Sequence, residues 1–84
     1  MKYELVYTKR AARDISGLDH AAKERIGGTL ERYAQSPFDC AKKMVDPALG
    51  TYRFRIGEYR VIFDVEGDKI VVLRVGHRRE IYRG

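Results

Sequence analysis

The sequence predicts an α+β domain with the order strand-helix-helix-strand-strand-strand, in which a helical hairpin packs on a largely antiparallel sheet. Two stretches in the first half repeat apolar residues at helical spacing, and three stretches in the second half alternate apolar with polar residues. Turns of two and three residues separate the last three stretches, so those strands must be antiparallel neighbours. Helices on one face of such a sheet define the α+β class.

The 84 residues form one predicted domain, 1–84, which is large enough for a two-layer core. Lys and Arg number 17 against 12 acidic residues, and the net charge of +5 favours an anionic partner. Cys40 has no second cysteine to pair with, which suits a reducing cytosol, and with His20 and His77 it makes no metal-ligand spacing. We therefore expect no metal and no other cofactor. The chain shows neither a signal peptide nor a run of about 20 apolar residues, so we expect a cytoplasmic protein without a membrane partner.

The first half of the chain predicts one strand and two helices. Residues 2–7 alternate in polarity and predict the first strand. Thr8 can cap a short amphipathic helix over residues 9–18, and Asp19 can cap a second helix over about residues 20–35. The apolar stripe of the second helix consists of Ala22, Ile26, Leu30 and Tyr33.

Two glycines interrupt the second helix. Gly27 and Gly28 should each cost on the order of 1 kcal/mol relative to alanine, so we expect either close packing of the helix on its neighbour or a groove for a partner. Pro37 ends the helix, because proline disfavours helical geometry in the residue before it. Residues 37–50 are predicted to be a connecting loop.

Three strands are predicted to close the chain, over about residues 51–56, 59–65 and 69–75. Successive side chains of a strand point to opposite faces of the sheet. One face then carries the core residues Tyr52, Phe54, Ile56, Val61, Phe63, Val65, Val71, Leu73 and Val75. The other carries Arg53, Arg55, Arg60 and Arg74 and, by extrapolation, Gly76 and Arg78.

Guanidinium groups on one face of a sheet are costly unless something anionic docks there, because like charges repel. An RNA backbone and an acidic protein are the two candidates.

Two motifs carry a family resemblance. The first is YRFRIGEYRV at 52–61, a basic pair followed by Tyr-Arg, and the second is VGHRREIY at 75–82, which has Gly-His-Arg before an aromatic residue. Together with the order of elements they resemble the RelE branch of the RelE/ParE toxins of bacterial and archaeal toxin–antitoxin pairs. The resemblance implies a single toxin domain that enters the ribosomal A site and cuts messenger RNA.

The resemblance also implies the partners and the chemistry. A cognate RelB-like antitoxin would silence the toxin, the ribosome and mRNA would be its targets, and DNA would be reached only through the antitoxin complex. In metal-independent cleavage the 2′-hydroxyl attacks the neighbouring phosphate while cations stabilise the phosphoryl charge. The residues that match the family's catalytic positions are Arg53, Arg55, Arg60, Arg78 and Tyr82.

The basic pair departs from the lysines of the best-known members. Arginine, with a pKa above about 12, is a poor proton acceptor. His77, which can be neutral at cellular pH, therefore becomes the predicted general base, with a structural role at the strand end as the alternative. The predicted RNA-binding residues are Arg74, Arg83, Lys42 and Lys43, for which solvated or salt-bridged surface positions are the alternative.

Two other functions stay open. A ParE-like protein would inhibit DNA gyrase by binding it and would need no catalytic residues on the sheet. An inactive member would serve only as a co-repressor with its antitoxin. A titratable histidine among phosphate-binding arginines favours the nuclease, because pure binding does not require one.

Overall fold

The computed structural model describes residues 2–43 and 52–81, and within these ranges it contains five strands and three helices. In chain order they are β1 (Glu4–Tyr7), α1 (Lys9–Ser16), α2 (His20–Tyr33), α3 (Pro37–Cys40), β2 (Lys42–Lys43), β3 (Tyr52–Ile56), β4 (Tyr59–Glu66) and β5 (Lys69–His77). The strands form one sheet in the order β1-β5-β4-β3-β2. Only the β1–β5 pair is parallel among the described strand pairs, so the predicted α+β class with a largely antiparallel sheet is confirmed.

Both predicted helix caps are present. The side-chain oxygen of Thr8 accepts a hydrogen bond from Ala11 N at 3.1 Å, and Asp19 Oδ1 accepts one from Ala22 N at 2.8 Å. Each bond satisfies a main-chain donor that the first turn of a helix leaves without a partner. The Thr8 hydroxyl also donates to Leu73 O at 3.2 Å, which ties the start of α1 to β5.

The core lies between α2 and the sheet. The rings of Phe54 and Phe63 stack with their centroids 4.2 Å apart, and the Tyr33 ring lies 4.9 Å from Phe54. Ile26 and Leu30 of α2 are fully buried against them. The predicted core positions of β3, of β4 and of the α2 stripe are therefore confirmed, and one face of the sheet is covered by helices.

The predicted core of β5 is wrong in part. Its buried residues are Ile70, Val72 and Val75, whereas Val71 and Leu73 are only half-buried. The register explains the difference, because Ile62 pairs with Arg74 while the next residue, Phe63, pairs with Val72. Leu73 is therefore an extra residue in β5, and such a bulge reverses which side chains face the core.

The predicted loop over residues 37–50 is also wrong in its first part. Pro37 begins the four-residue helix α3, since its fixed backbone angle suits the first helical turn. Lys42 and Lys43 then form β2, which pairs with Arg53 and Tyr52 of β3. Elements this short have no periodicity that a sequence could reveal. The remainder of the predicted loop lies outside the described residues.

The glycine pair in α2 does not mark a close contact between helices. A Cβ atom built on either Gly27 or Gly28 would meet no heavy atom within 4 Å apart from its chain neighbours and its own helix backbone, so the expected tight contact is absent there. Gly27 instead lines a cleft of about 420 Å³ between α1 and α2. None of the helices within 2–43 and 52–81 is long and apolar enough to cross a membrane.

Gly28→Ala should raise the free energy of unfolding by about 0.5–1 kcal/mol, because alanine loses less backbone entropy in a helix and has room here. Urea unfolding followed by circular dichroism measures the change. Gly57→Ala is the matched control and should destabilise the protein, because Gly57 has a φ of +57° that alanine rarely adopts. A less stable Gly28→Ala variant would show that the glycine serves a contact outside this structure.

Candidate functional site

Basic side chains gather on the face of the sheet opposite the helices. Arg55 of β3 pairs with Arg60 of β4, and Lys42 of β2 pairs with Arg53 of β3. Directly opposite residues of antiparallel strands lie on the same face, and Arg74 reaches this face through its pairing with Ile62. We call Lys42, Arg53, Arg55, Arg60 and Arg74 the basic face. The predicted alternation of β3 and β4 is thereby confirmed.

Arg60 is buried, which contradicts the expectation of an exposed cation. Only 8% of the residue is accessible. Its Nη1 donates to the carbonyl oxygens of Gly57 and Tyr59, both at 2.8 Å. These bonds hold the guanidinium against the β3–β4 turn, while its cross-strand partner Arg55 is exposed. Two like charges directly across a ladder are destabilising, so this pair favours an anionic ligand.

A further arginine lies on the other side of the same turn. A Cβ atom on Gly57 would meet Arg25 Nη2 at 2.6 Å and Arg25 Cζ at 2.9 Å, so the guanidinium of this α2 residue packs on the glycine. The sequence analysis missed Arg25. No sequence signal marks it, because its contact depends on where α2 crosses the sheet.

The terminal turn brings Arg78 to the β3–β4 turn. The main-chain N–H of Arg78 donates to Glu58 O at 2.8 Å, and Arg78 Nε lies 2.8 Å from Glu58 Oε2. Ile81, which is 2% exposed, holds the turn in place by packing over Gly76. Arg25, Arg60 and Arg78 therefore contact the turn at Gly57 and Glu58, and Arg55 lies across the ladder from Arg60. We call these four arginines the arginine cluster.

His77 directly precedes Arg78 of the arginine cluster, but it lies on the face of the sheet opposite Arg55 and Arg60. It pairs with Tyr59, its ring lies 5.9 Å from the Tyr59 ring, and it shares the strand parity of the buried Val75. Its Nδ1 accepts a hydrogen bond from Arg79 N at 3.2 Å. A neutral imidazole with this bond carries its proton on Nε2. For His77 to act as a base, the bond to Arg79 must therefore open.

Arg74 forms an ion pair with α1. Its Nε donates to Asp14 Oδ2 at 2.8 Å, and the same oxygen accepts from Val75 N at 3.0 Å. Asp14 thus caps the edge of β5 beyond the short strand β1, where main-chain donors would otherwise lack a partner. Of the two roles considered for Arg74, RNA contact and a surface salt bridge, the structure contains the salt bridge.

The other predicted site residues are dispersed or undescribed. Lys42 is exposed and belongs to β2, so its predicted loop position is wrong. Tyr82, Arg83 and the side chain of Lys43 lie outside the described residues. No group of three or more His, Cys, Asp or Glu side chains in the described part of the chain could hold a metal ion.

The cleft between α1 and α2 is a second surface feature and is mainly apolar. Its lining includes Ala12, Ile15, Ile26 and Leu30, with Tyr7 at one side. Burial, and then the negative charge of Glu31, raises the pKa of Tyr7, so its phenol stays neutral. This cleft and the arginine cluster are distinct surfaces, one apolar and one cationic.

Comparison with known proteins places this geometry in a family. Residues 5–82 match the family described as ParE toxin of type II toxin-antitoxin system, parDE. The chain is 32% identical over 90 residues to Toxin RelG of Mycobacterium tuberculosis, with 99% of each chain covered. The toxin–antitoxin complex RelBE2 from Mycobacterium tuberculosis has a TM-score of 0.84 at 25% identity and covers 93% of this chain and 100% of its own.

A second solved structure agrees. The RelB–RelE antitoxin–toxin complex from Methanococcus jannaschii has a TM-score of 0.72 at 28% identity and covers 93% of this chain and 95% of its own. The matched residues 5–82 include both motifs, which contain Arg55, Arg60 and Arg78 of the arginine cluster. The chain therefore belongs to the ParE toxin family of type II toxin–antitoxin systems, as a RelE-type toxin of the RelE/ParE superfamily.

Proposed function

We propose that this toxin cleaves messenger RNA on the ribosome, in the cytoplasm, without a metal ion or other cofactor, and so inhibits translation. The arginine cluster is the observation that carries the proposal. Arg25, Arg60 and Arg78 contact one turn, which supplies the carboxylate of Glu58, and Arg55 is the cross-strand partner of Arg60. Planar guanidinium groups bind phosphoryl oxygens through paired, charge-assisted hydrogen bonds, so the cluster suits an RNA backbone.

In the proposed reaction the 2′-hydroxyl of the RNA attacks the adjacent phosphorus atom. The bond to the departing 5′-oxygen breaks and that oxygen takes up a proton from solvent or a general acid, which leaves a 2′,3′-cyclic phosphate and a 5′-hydroxyl. Arg55, Arg60 and Arg78 stabilise the additional phosphoryl charge in the transition state. Arginine does not give up its proton at cellular pH, so another group must accept the proton of the 2′-hydroxyl. We assign this role to His77, which precedes Arg78 in the chain.

If His77 is the general base, His77→Gln should slow cleavage by a factor of about 10²–10⁴ while ribosome binding persists, because glutamine cannot accept the proton of the 2′-hydroxyl. Single-turnover cleavage on programmed ribosomes measures the rate. The control is Arg79→Ala, which keeps the main-chain donor to His77. A wild-type cleavage rate in His77→Gln would return the histidine to a structural role.

A gyrase inhibitor is the second candidate, and the description of the matched family as ParE toxin favours it. Incubation with programmed ribosomes, followed by mapping of mRNA ends, tests the nuclease directly. A supercoiling assay with DNA gyrase tests the alternative. Inhibition of gyrase together with intact mRNA would support the ParE-like function. If the protein has no effect in either assay, the role of co-repressor with the antitoxin is the remaining candidate.

We also propose that a RelB-like antitoxin neutralises the protein. The related structures named above are complexes of toxin and antitoxin. The apolar cleft between α1 and α2 suits a helix with an apolar face, and the net charge of +5 suits acidic flanks. Addition of the antitoxin in excess should stop cleavage in the programmed-ribosome assay.

A further inference from the structure

Glu58 is the carboxylate that pairs with Arg78 of the arginine cluster. Its side chain and its main-chain carbonyl both bond to Arg78, each at 2.8 Å. The main-chain bond, together with the packing of Ile81 on Gly76, already fixes the terminal turn to the sheet. The side-chain bond therefore has a separate effect, which is to neutralise Arg78.

The ion pair is weak enough to be exchanged. The exposed fractions of the Arg78 and Glu58 side chains are 46% and 62%, so water screens their attraction and the pair contributes little to folding. A phosphate offers Arg78 a charge-assisted bond of the same kind and can accept two of its donors. An incoming phosphate can thus replace the Glu58 carboxylate.

We propose that Glu58 is a specificity-determining residue of the arginine cluster, which occupies Arg78 in the free protein and yields it to an RNA phosphate that Arg55 and Arg60 also bind. The inference rests on the proposed RNA-cleaving function. An RNA phosphate that contacts Arg78 alone gains an ion pair with Arg78 but breaks the Arg78–Glu58 pair, so its net gain is small. The Glu58 carboxylate therefore lowers the affinity of the protein for free RNA. RNA that the ribosome presents to the whole cluster still binds, because Arg55 and Arg60 contribute as well.

Glu58→Gln tests this directly. The probe is a short, fluorescently labelled, single-stranded 2′-O-methyl RNA, which lacks the attacking hydroxyl, so anisotropy reports binding without cleavage. The dissociation constant should fall by about twofold to fivefold when an exposed ion pair no longer competes. The slope of the logarithm of the association constant against the logarithm of the salt concentration should also become steeper by about 0.7. The reason is that Arg78, once free of Glu58, neutralises a phosphate and so releases a counterion from the single strand.

Two controls separate release of Arg78 from a general gain in positive charge. Glu80→Gln makes the same change of charge in the terminal turn that carries Arg78, and we expect a smaller effect on affinity and an unchanged salt slope. In an Arg78→Ala background, Glu58→Gln should no longer tighten binding. The main-chain bond from Arg78 to Glu58 persists in every variant, and thermal unfolding checks that each is folded.

The inference is overturned if Glu58→Gln fails to bind the probe more tightly, if Glu80→Gln matches it, or if the gain persists without Arg78. These affinities are measured without ribosomes and without cleavage. A toxin that leaves ribosomal mRNA intact would therefore defeat the proposed nuclease function, while the ranking of the two glutamine variants would still decide the role of Glu58.

Discussion

Arg78→Ala is expected to slow mRNA cleavage by a factor of about 10²–10³ while the protein stays folded, as found for loss of one donor to a developing negative charge. Arg78 is exposed, and its ion pair with Glu58 is hydrated, so its removal should cost about 0–1 kcal/mol of stability. The main-chain N–H that binds Glu58 O is unaffected. Single-turnover cleavage on programmed ribosomes measures the rate, and circular dichroism checks the fold.

Arg79→Ala is the matched control for this experiment. The two arginines are adjacent in the terminal turn, both are exposed, and each substitution removes one positive charge. Arg78 contacts the β3–β4 turn, whereas the structure gives Arg79 only a main-chain bond to His77 within the described residues. An equal decrease of the cleavage rate in Arg78→Ala and Arg79→Ala would indicate a general effect of charge. Near-normal cleavage by Arg78→Ala would remove that residue from the site.

Arg60→Ala should impair both cleavage and folding. Its loss removes a cation from the arginine cluster, and the rate should again fall by about 10²–10³. It also removes both hydrogen bonds to the carbonyl oxygens of Gly57 and Tyr59, so the free energy of unfolding should fall by about 1–3 kcal/mol. Urea unfolding gives the stability, and cleavage assays at a temperature where the variant is folded give the rate.

Arg55→Ala is the comparison for this variant, because Arg55 and Arg60 form one cross-strand pair. Arg55 is exposed, and removing it relieves the repulsion between like charges, so its stability should be unchanged or slightly higher. Cleavage should decline in both variants. If Arg60→Ala is as stable as Arg55→Ala, the bonds to the turn carbonyls do not support the turn.

The fold could be predicted largely from local patterns. The alternation of Tyr52 to Phe63, the caps Thr8 and Asp19, and the short turns each act within a few residues of the chain. The bulge at Leu73 could not be predicted in this way, because it depends on the register that β5 adopts against β4. The helix α3 and the strand β2 were missed because they are too short to show a period.

The candidate site was predicted in part. Alternation alone placed Arg53 and Arg55 on the face away from the core, and the register agrees. The ion pair of Arg74 with Asp14 and the contact of Arg25 with Gly57 join residues that are far apart in the sequence, and the burial of Arg60 depends on packing that no local pattern shows. The catalytic roles assigned to these residues, and to Tyr82, stay predictions.

By itself the sequence determined the order of the elements other than α3 and β2, the two faces of β3 and β4, and the family, since period, capping and motif spacing are properties of nearby residues. Only the tertiary structure decided which cations meet. The terminal turn folds back so that Arg78 bonds to Glu58, and α2 crosses the sheet so that Arg25 reaches Gly57. It also decided that Arg60 is buried, because its bonds to the carbonyl oxygens of Gly57 and Tyr59 form where β3 and β4 pair around their turn.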